Sequence, residues 1–263
     1  MILPQMHGAA PTADFFIYSA CDQSYFDQFA RELINSSRAN SPDPLHLHIF
    51  NPRQDQLDYC ADQVGVTVTY EYVTPDQFDT AAAQWDMATD PVRRAQLERT
   101  RNAMKKGQDI DLHHRMQKTY YACARFIRLA ELAGSASFMS MDVDAVIRNT
   151  IPRLSQQHDF YLHKITGAKA RILAGGMYVN AQGRSSEFLN QYSQALRSSI
   201  ENDYIYWGLD QDILDQIVPR YASGNLPISL IDWDMRPDSV IWTAKGTRKD
   251  LPKFIAEKNR YTF

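Results

Sequence analysis

Cysteine is scarce in this chain: only Cys21, Cys60 and Cys123 occur, widely spaced and odd in number. That leaves no disulfide framework and no cysteine-based zinc pattern, and it suits a reducing compartment. No apolar run approaches the roughly 18 residues that a membrane span needs. The opening residues MILPQMHGAAPTADFF lack the basic start and long apolar core of a secretory signal. A cytoplasmic location is the expectation. The net charge of −3 gives no overall pull toward nucleic acid. His46, His48, His113, His114, His158 and His163 follow no metal-ligand spacing. Repeats, low-complexity tracts and obvious linkers are missing too, so residues 1–263 are expected to form a single domain.

What is present alternates between strand and helix patterns. DFFIYSACD reads as a buried strand from Phe15 to Ser19. Tyr25, Phe26, Phe29 and Leu33 then recur at helical spacing up to Asn40. PLHLHIFN alternates, with Leu45, Leu47 and Ile49 on one face and His46 and His48 on the other. A short helix over Gln54–Gln63 leads to VTVTYEYV, a strand rich in β-branched and aromatic residues. This succession predicts an α/β unit with a parallel sheet. Residues 76–117, with the charge run RRAQLERTRNAMKKGQD, read as a polar helical excursion. KTYYACARFIRLAELAG is a helix stopped by Gly134, and Lys118, Tyr121, Arg125 and Arg128 form a stripe along one side of it. DFYLHKI and ILAGGMYVN read as strands, the second carrying a bulge or close approach at Gly175 and Gly176. SSEFLNQYSQALRSSIEN and WGLDQDILDQIVPRY are helices, and PISLIDWDM is a late strand before a basic tail.

The run SFMSM drives into Asp142 and Asp144, two carboxylates separated by one residue. Side chains alternate along an extended chain, so the two lie on one side, and their repulsion calls for a cation, a proton or open water. An exposed turn at the strand end, with Asp144 as a cap for the next residues, is one reading. A calcium loop fails, because Val146 and Ile147 stand where an oxygen ligand and a glycine are required. A haloacid-dehalogenase-type phosphohydrolase also runs a strand into DxDx[TV], but several strands precede the motif here and no GDxxxD comes after it. The fourth reading is a divalent cation bridging the carboxylates to a diphosphate, which Mg²⁺ and Mn²⁺ favour through hard oxygen ligands.

Five segments together resemble GT-A fold nucleotide-sugar glycosyltransferases, nearest to the retaining, glycogenin-like and galactosyltransferase-like group. SACDQSY is similar to the element after that group's first strand, with Cys21 at a threonine position, Asp22 at a polar one and Tyr25 at the tyrosine that stacks on uracil. KTYYACARFIRL resembles the helix that carries a lysine and an arginine toward the donor, here Lys118 and Arg125. MDVDAVI resembles the metal-binding DxD, LAGGMYVN the strand beside the acceptor, and WGLDQDIL the DQDxLN element opening a helix in the catalytic cleft.

The resemblance implies a mixed, mostly parallel α/β sheet sandwiched by helices, and a transferase that moves a sugar from a nucleoside-diphosphate sugar, a UDP-sugar by preference, to an unidentified acceptor. It implies Mn²⁺ or Mg²⁺ on Asp142 and Asp144. Donor contacts fall to Cys21, Asp22, Tyr25, Lys118, Arg125, Asp142, Lys245, Gly246 and Arg248. Acceptor contacts fall to Gly175, Gly176 and Trp207, and the anomeric centre to Asp210, Gln211 and Asp212. The group ends in a His-x-Gly-x-x-Lys-Pro segment whose histidine is a third metal ligand. This chain has WTAKGTRKD, with Lys245 read in the histidine's place although the count back from Gly246 lands on Ala244, and neither an ammonium nor a methyl can ligate a cation. Arg248 and Lys249 still suit a diphosphate. A nonenzymatic sugar-nucleotide-binding or assembly subunit is the alternative from another class.

Overall fold

The computed structural model describes residues 1–86, 89–102, 112–165 and 171–262. Eight strands form the main sheet: β1 (His7–Gly8), β2 (Phe15–Asp22), β3 (Leu45–Phe50), β4 (Val66–Glu71), β5 (Ser137–Met141), β7 (Phe160–Ile165), β8 (Arg171–Val179) and β9 (Ser223–Asn225). Their order is β1-β4-β3-β2-β5-β8-β7-β9. Strands β4, β3, β2 and β5 run parallel, while β8 is antiparallel to both β5 and β7. A small second sheet joins β10 (Ile231–Asp232), β11 (Ile241–Thr243) and β6 (Ala145–Ile147). The sheet is mixed and mostly parallel, with helices on both faces, as the sequence predicts.

The period of two in β2 sorts the core. Phe16 and Tyr18 join the layer under the helices Leu112–Ala133 and Ser185–Glu201. Phe15, Ile17 and Cys21 join the opposite layer, with Phe26, Leu33, Leu45, Leu47 and Ile49. Burying these side chains contributes about 1.5–3 kcal/mol each before the cost of chain entropy.

His46 and His48 face the first of these layers, and burial there disfavours a charged ring. The ring nitrogens of His46 lie 2.8 and 2.9 Å from the hydroxyls of Thr67 and Thr69. Burial pushes His46 down from 6.5 to about 4, and His48 is likewise lowered by burial, with Arg128 adding to the effect. Since the folded value lies below the unfolded one, the stability that His46 contributes is full above pH 6.5 and is lost as pH falls through about 4. The loss amounts to about 3 kcal/mol. Urea unfolding of wild type and His46→Leu across that window is expected to show a slope smaller by about one proton in the variant.

Several elements depart from the sequence expectation. The strand β2 runs on to Asp22, past Ser19. The polar excursion is helical at Pro75–Phe78, Asp79–Asp86 and Pro91–Asn102, and the remainder of its charge run, 103–109, lies outside the described residues. The late strand shrinks to Ile231–Asp232 because the Asp232 carboxylate accepts the backbone N–H groups of Asp234 and Arg236 and turns the chain. The stripe read on the helix Leu112–Ala133 brings Lys118 to Asp22 and Arg125 to Asp142. Arg128 is buried against Glu71, whose other oxygen accepts the Tyr120 hydroxyl at 2.6 Å. Among the described residues no helix is long and apolar enough to cross a membrane.

Candidate active site

The parallel strands β2, β3 and β5 all end at one edge of the sheet, where a crevice between carboxyl ends is the usual ligand site of an open α/β fold. At the end of β2, Asp22 has two roles. Its Oδ1 accepts the Tyr25 backbone N–H at 2.8 Å and caps the next helical segment. Its Oδ2 takes the ammonium of Lys118 from the helix Leu112–Ala133.

Two turns further along that helix, Arg125 reaches Asp142 just past β5, with Nη1 2.5 Å from Oδ1. Its other N–H groups go to the carbonyls of Ala122 and Ala174, and Asp210 Oδ2 lies 3.8 Å from Nη2. The Tyr18 hydroxyl donates to the Arg125 carbonyl at 2.7 Å and fixes that turn of the helix. Asp210 enters from the N-terminal end of the helix Leu209–Ile217, behind Gly208, whose φ of 88° favours glycine. Burial raises the Asp210 carboxyl, and the Arg125 charge opposes that rise.

Asp144 turns to a different partner. Lys249, in the short helical turn Gly246–Asp250, places Nζ 2.6 Å from its Oδ2, and the Thr243 hydroxyl donates to Oδ1 at 3.3 Å. Burial and then the charge of Asp142 push Asp144 up to about 6, while Lys249 pulls it back. The sequence question of how two neighbouring carboxylates coexist is thus answered by one protein cation for each.

Two cavities open along the helix Leu112–Ala133. The smaller, about 160 Å³, is lined by Thr119, Arg125, Asp142, Trp207, Asp210 and Lys245, with Gly175 and Gln211 also at its wall. The larger, about 710 Å³, is polar and lies at the ends of β2 and β3 between Asp22, Ser24, Asn51, Gln117, Lys118 and Tyr121. Tyr121 stacks on Phe50 with ring centroids 4.5 Å apart, and Asn51 holds its hydroxyl at 3.1 Å. Asp22 and Lys118 line the larger cavity, and Arg125 and Asp142 line the smaller.

Of the residues singled out from sequence, Asp142, Arg125, Lys245, Gly175, Trp207, Asp210 and Gln211 share the smaller cavity, and Asp22 and Lys118 border the larger. Others are placed elsewhere. Cys21 is buried in the core layer with Ile17, so its thiol is turned from the crevice. Gly176 is outside the cavity lining, and a Cβ there would meet Ile231 and Leu226. The Tyr25 ring is covered by Lys249, whose Nζ is 4.4 Å from its centroid and 3.1 Å from its hydroxyl. Arg248 pairs with exposed Asp234 at 3.0 Å, Gly246 is exposed, and Asp212 is half-exposed outside both linings. Lys245 is exposed and adds a charge that lowers Asp210; the groups on Asp144 are Thr243 and Lys249.

The predicted bulge falls at the paired glycines. Residues 174–176 stand between consecutive pairing partners of β7, and a Cβ on Gly175 would lie 2.7 Å from Asp142 Oδ2. Tyr121, Trp233 and Thr119 were not singled out from sequence as site residues; Tyr121 lies in the stripe on the helix, and Trp233 sits between the acids of DWD.

The expected Mn²⁺ or Mg²⁺ does not fit this donor set. Both carboxylates already carry a bonded cation, the neighbouring oxygen is a hydroxyl that donates to Asp144, and among the described residues no three His, Cys, Asp or Glu side chains gather as ligands.

No protein-family model matches the chain, and no curated protein matches it in sequence. Solved structures do match. A galactosyltransferase LgtC in complex with donor and acceptor sugar analogs superposes with a TM-score of 0.53 at 11% identity, over 94% of this chain and 96% of that one. The glycosyltransferase GlyE of Streptococcus pneumoniae TIGR4 gives 0.52 at 12% identity, over 93% of this chain and 63% of that one. The bifunctional glycosyltransferase WbbM gives 0.55 at 11%, over 95% of this chain and 50% of that one. This chain therefore spans nearly all of the first and about half to two thirds of the others. Its strand order, its two helix-covered faces and these superpositions agree: the chain has the GT-A glycosyltransferase fold.

Proposed function

We propose that this protein is a glycosyltransferase that takes a nucleoside-diphosphate sugar, with UDP-sugars the first donors to test, and passes the sugar to a hydroxyl acceptor. One observation carries the reading: the helix Leu112–Ala133 lines both a large polar cavity, where it places Lys118, and a small cavity holding a buried acid, where it places Arg125 two turns further on. A nucleotide sugar has that sequence of parts. Its base suits the larger cavity beside Tyr121 and Asn51, its diphosphate suits the two cations Lys118 and Arg125, and its sugar suits the space against Gly175, Asp210 and Gln211.

In the transfer, the bond from the anomeric carbon to the diphosphate oxygen breaks and its electron pair leaves on the nucleotide. The acceptor oxygen forms the new bond, and its proton passes to the departing phosphate oxygen. Arg125, Lys118, Lys245 and Lys249 offset the charge that develops on that oxygen, so electrostatics carries much of the acceleration. Asp210, aligned by Arg125, faces the positive charge that builds at the anomeric carbon. Retention of configuration is the outcome that the resemblance implies. Exposed Trp207, with Arg115 over its ring at 5.0 Å, and buried Trp233 put aromatic edges at the cavity wall for an acceptor sugar.

A panel of nucleotide sugars, each offered simple glycosides and water as acceptors, tests the proposal through release of nucleoside diphosphate. The proposal expects release from one donor class, faster with a glycoside present. Binding without any release points to a nonenzymatic sugar-nucleotide binder.

Gly175→Ala tests the geometry. The added Cβ must push the Asp142 carboxylate away, and because that carboxylate is the end of a flexible side chain the stability cost should stay near 1 kcal/mol. Turnover is expected to fall about tenfold or more, the worth of one displaced charge-assisted hydrogen bond. Thermal unfolding beside steady-state kinetics separates the two effects.

A further inference from the structure

The resemblance makes Asp142 and Asp144 metal ligands, whereas the atoms around them are arranged for protein cations. Lys249 is held on several sides. Its ammonium bonds Asp144 at 2.6 Å and the Tyr25 hydroxyl at 3.1 Å, and it lies over the rings of Tyr25 and Phe29 at 4.4 and 4.8 Å from their centroids. An ammonium has three N–H donors, so one remains, and the side chain is still 19% exposed. Arg125 is locked more completely, between Asp142 and the carbonyls of Ala122 and Ala174.

A divalent ion bridging both carboxylates would stand beside these two cations and repel them at close range in a partly desolvated site. Thr243, the other group on Asp144, offers only a neutral hydroxyl oxygen. Lys245 lines the smaller cavity and makes no salt bridge among the described residues, so it adds a further positive charge there.

We propose that in this chain the two aspartates anchor Arg125 and Lys249, and that these side chains, in place of a divalent metal ion, hold the donor diphosphate. The inference rests on the reading of the cleft as a nucleoside-diphosphate site. It predicts that Lys249 gives its remaining N–H to a phosphate oxygen while Asp144 and Tyr25 keep it in position. Its fixed charge then needs no reorganisation as the nucleotide leaves.

The test titrates UDP, GDP and CDP into wild type by calorimetry, in excess EDTA and again in millimolar Mn²⁺, with Mn²⁺ binding to the protein alone followed by electron paramagnetic resonance. The expected result is a nucleoside diphosphate affinity that agrees within about twofold in the two buffers and no protein-bound Mn²⁺ in the absence of nucleotide, whereas a single site of ordinary strength would change it by tenfold or more. Lys249→Met should lower that affinity by about tenfold or more in EDTA, and Lys249→Arg, which keeps a charge on Asp144, should restore part of it. The double variant Thr243→His with Lys249→Met should gain a Mn²⁺ dependence that the parent lacks. Affinity in wild type that rises tenfold with Mn²⁺, or Mn²⁺ held by the protein alone, overturns the inference and leaves the donor reading standing. If no nucleoside diphosphate binds in either buffer, the donor reading fails and takes the inference with it.

Discussion

Arg125→Met is expected to remove turnover and part of the margin of stability together. The guanidinium is the cation for Asp142 and the nearest one to buried Asp210, so its loss leaves two carboxylates near each other without it. The Asp142 side chain is 35% exposed, so water screens part of the loss and the cost is about 1–3 kcal/mol. Turnover should fall by about 10³-fold, because the same charge lies on the path of the departing diphosphate. Removing the second acid as well tests the assignment: Arg125→Met with Asp210→Asn should regain part of the lost stability and none of the activity. Urea unfolding of the two single variants and the double variant gives the coupling as a cycle. Additive losses would show that Arg125 and Asp210 do not act on each other.

Asp210→Asn is expected to act the other way on stability. The carboxyl is raised by burial, so its ionised form is disfavoured in the folded chain, and a neutral amide of the same shape relieves that cost. Stability tied to this group is greatest below its unfolded value and declines as pH rises through the folded one. The variant should therefore be at least as stable as wild type at neutral pH. Its turnover should nonetheless fall by about 10²–10³-fold with donor affinity little changed, since the acid is placed for the charge that develops in the transition state. Kinetics and calorimetry on the same preparation decide between this and a structural acid, whose removal would leave turnover intact.

Much of this arrangement is legible in the sequence because it is local. Alternation along Phe15–Asp22 and Leu45–Phe50 separates the two core layers, and the apolar run into Asp142 marks a strand end. The same parity also carries a warning: Cys21 shares its side of β2 with Phe15 and Ile17, so alternation alone argues for its burial. The hidden part depends on contacts far apart in the chain. Nothing local tells that Lys249 returns to Asp144, or that it occupies the ring of Tyr25 on the way. The short strands β9 and β11 are invisible for a similar reason, since three residues acquire their pairing only once distant strands are in place. The Arg128–Glu71 pair is hidden too, because helical spacing places Arg128 on a stripe without revealing that a buried strand acid waits across the core.

The central claim is that the crevice at the ends of β2, β3 and β5 is built for one nucleotide sugar lying along the helix Leu112–Ala133. Calorimetric titration of the wild-type protein with uridine, guanosine and cytidine diphosphates, followed by competition with the matching nucleotide sugar, tests it most directly. The account predicts saturable one-to-one binding of a nucleoside diphosphate below millimolar concentration, displaced by its sugar conjugate and weakened in Lys118→Met. Binding of none of the three at millimolar concentration, or equal binding to wild type and Lys118→Met, would contradict it.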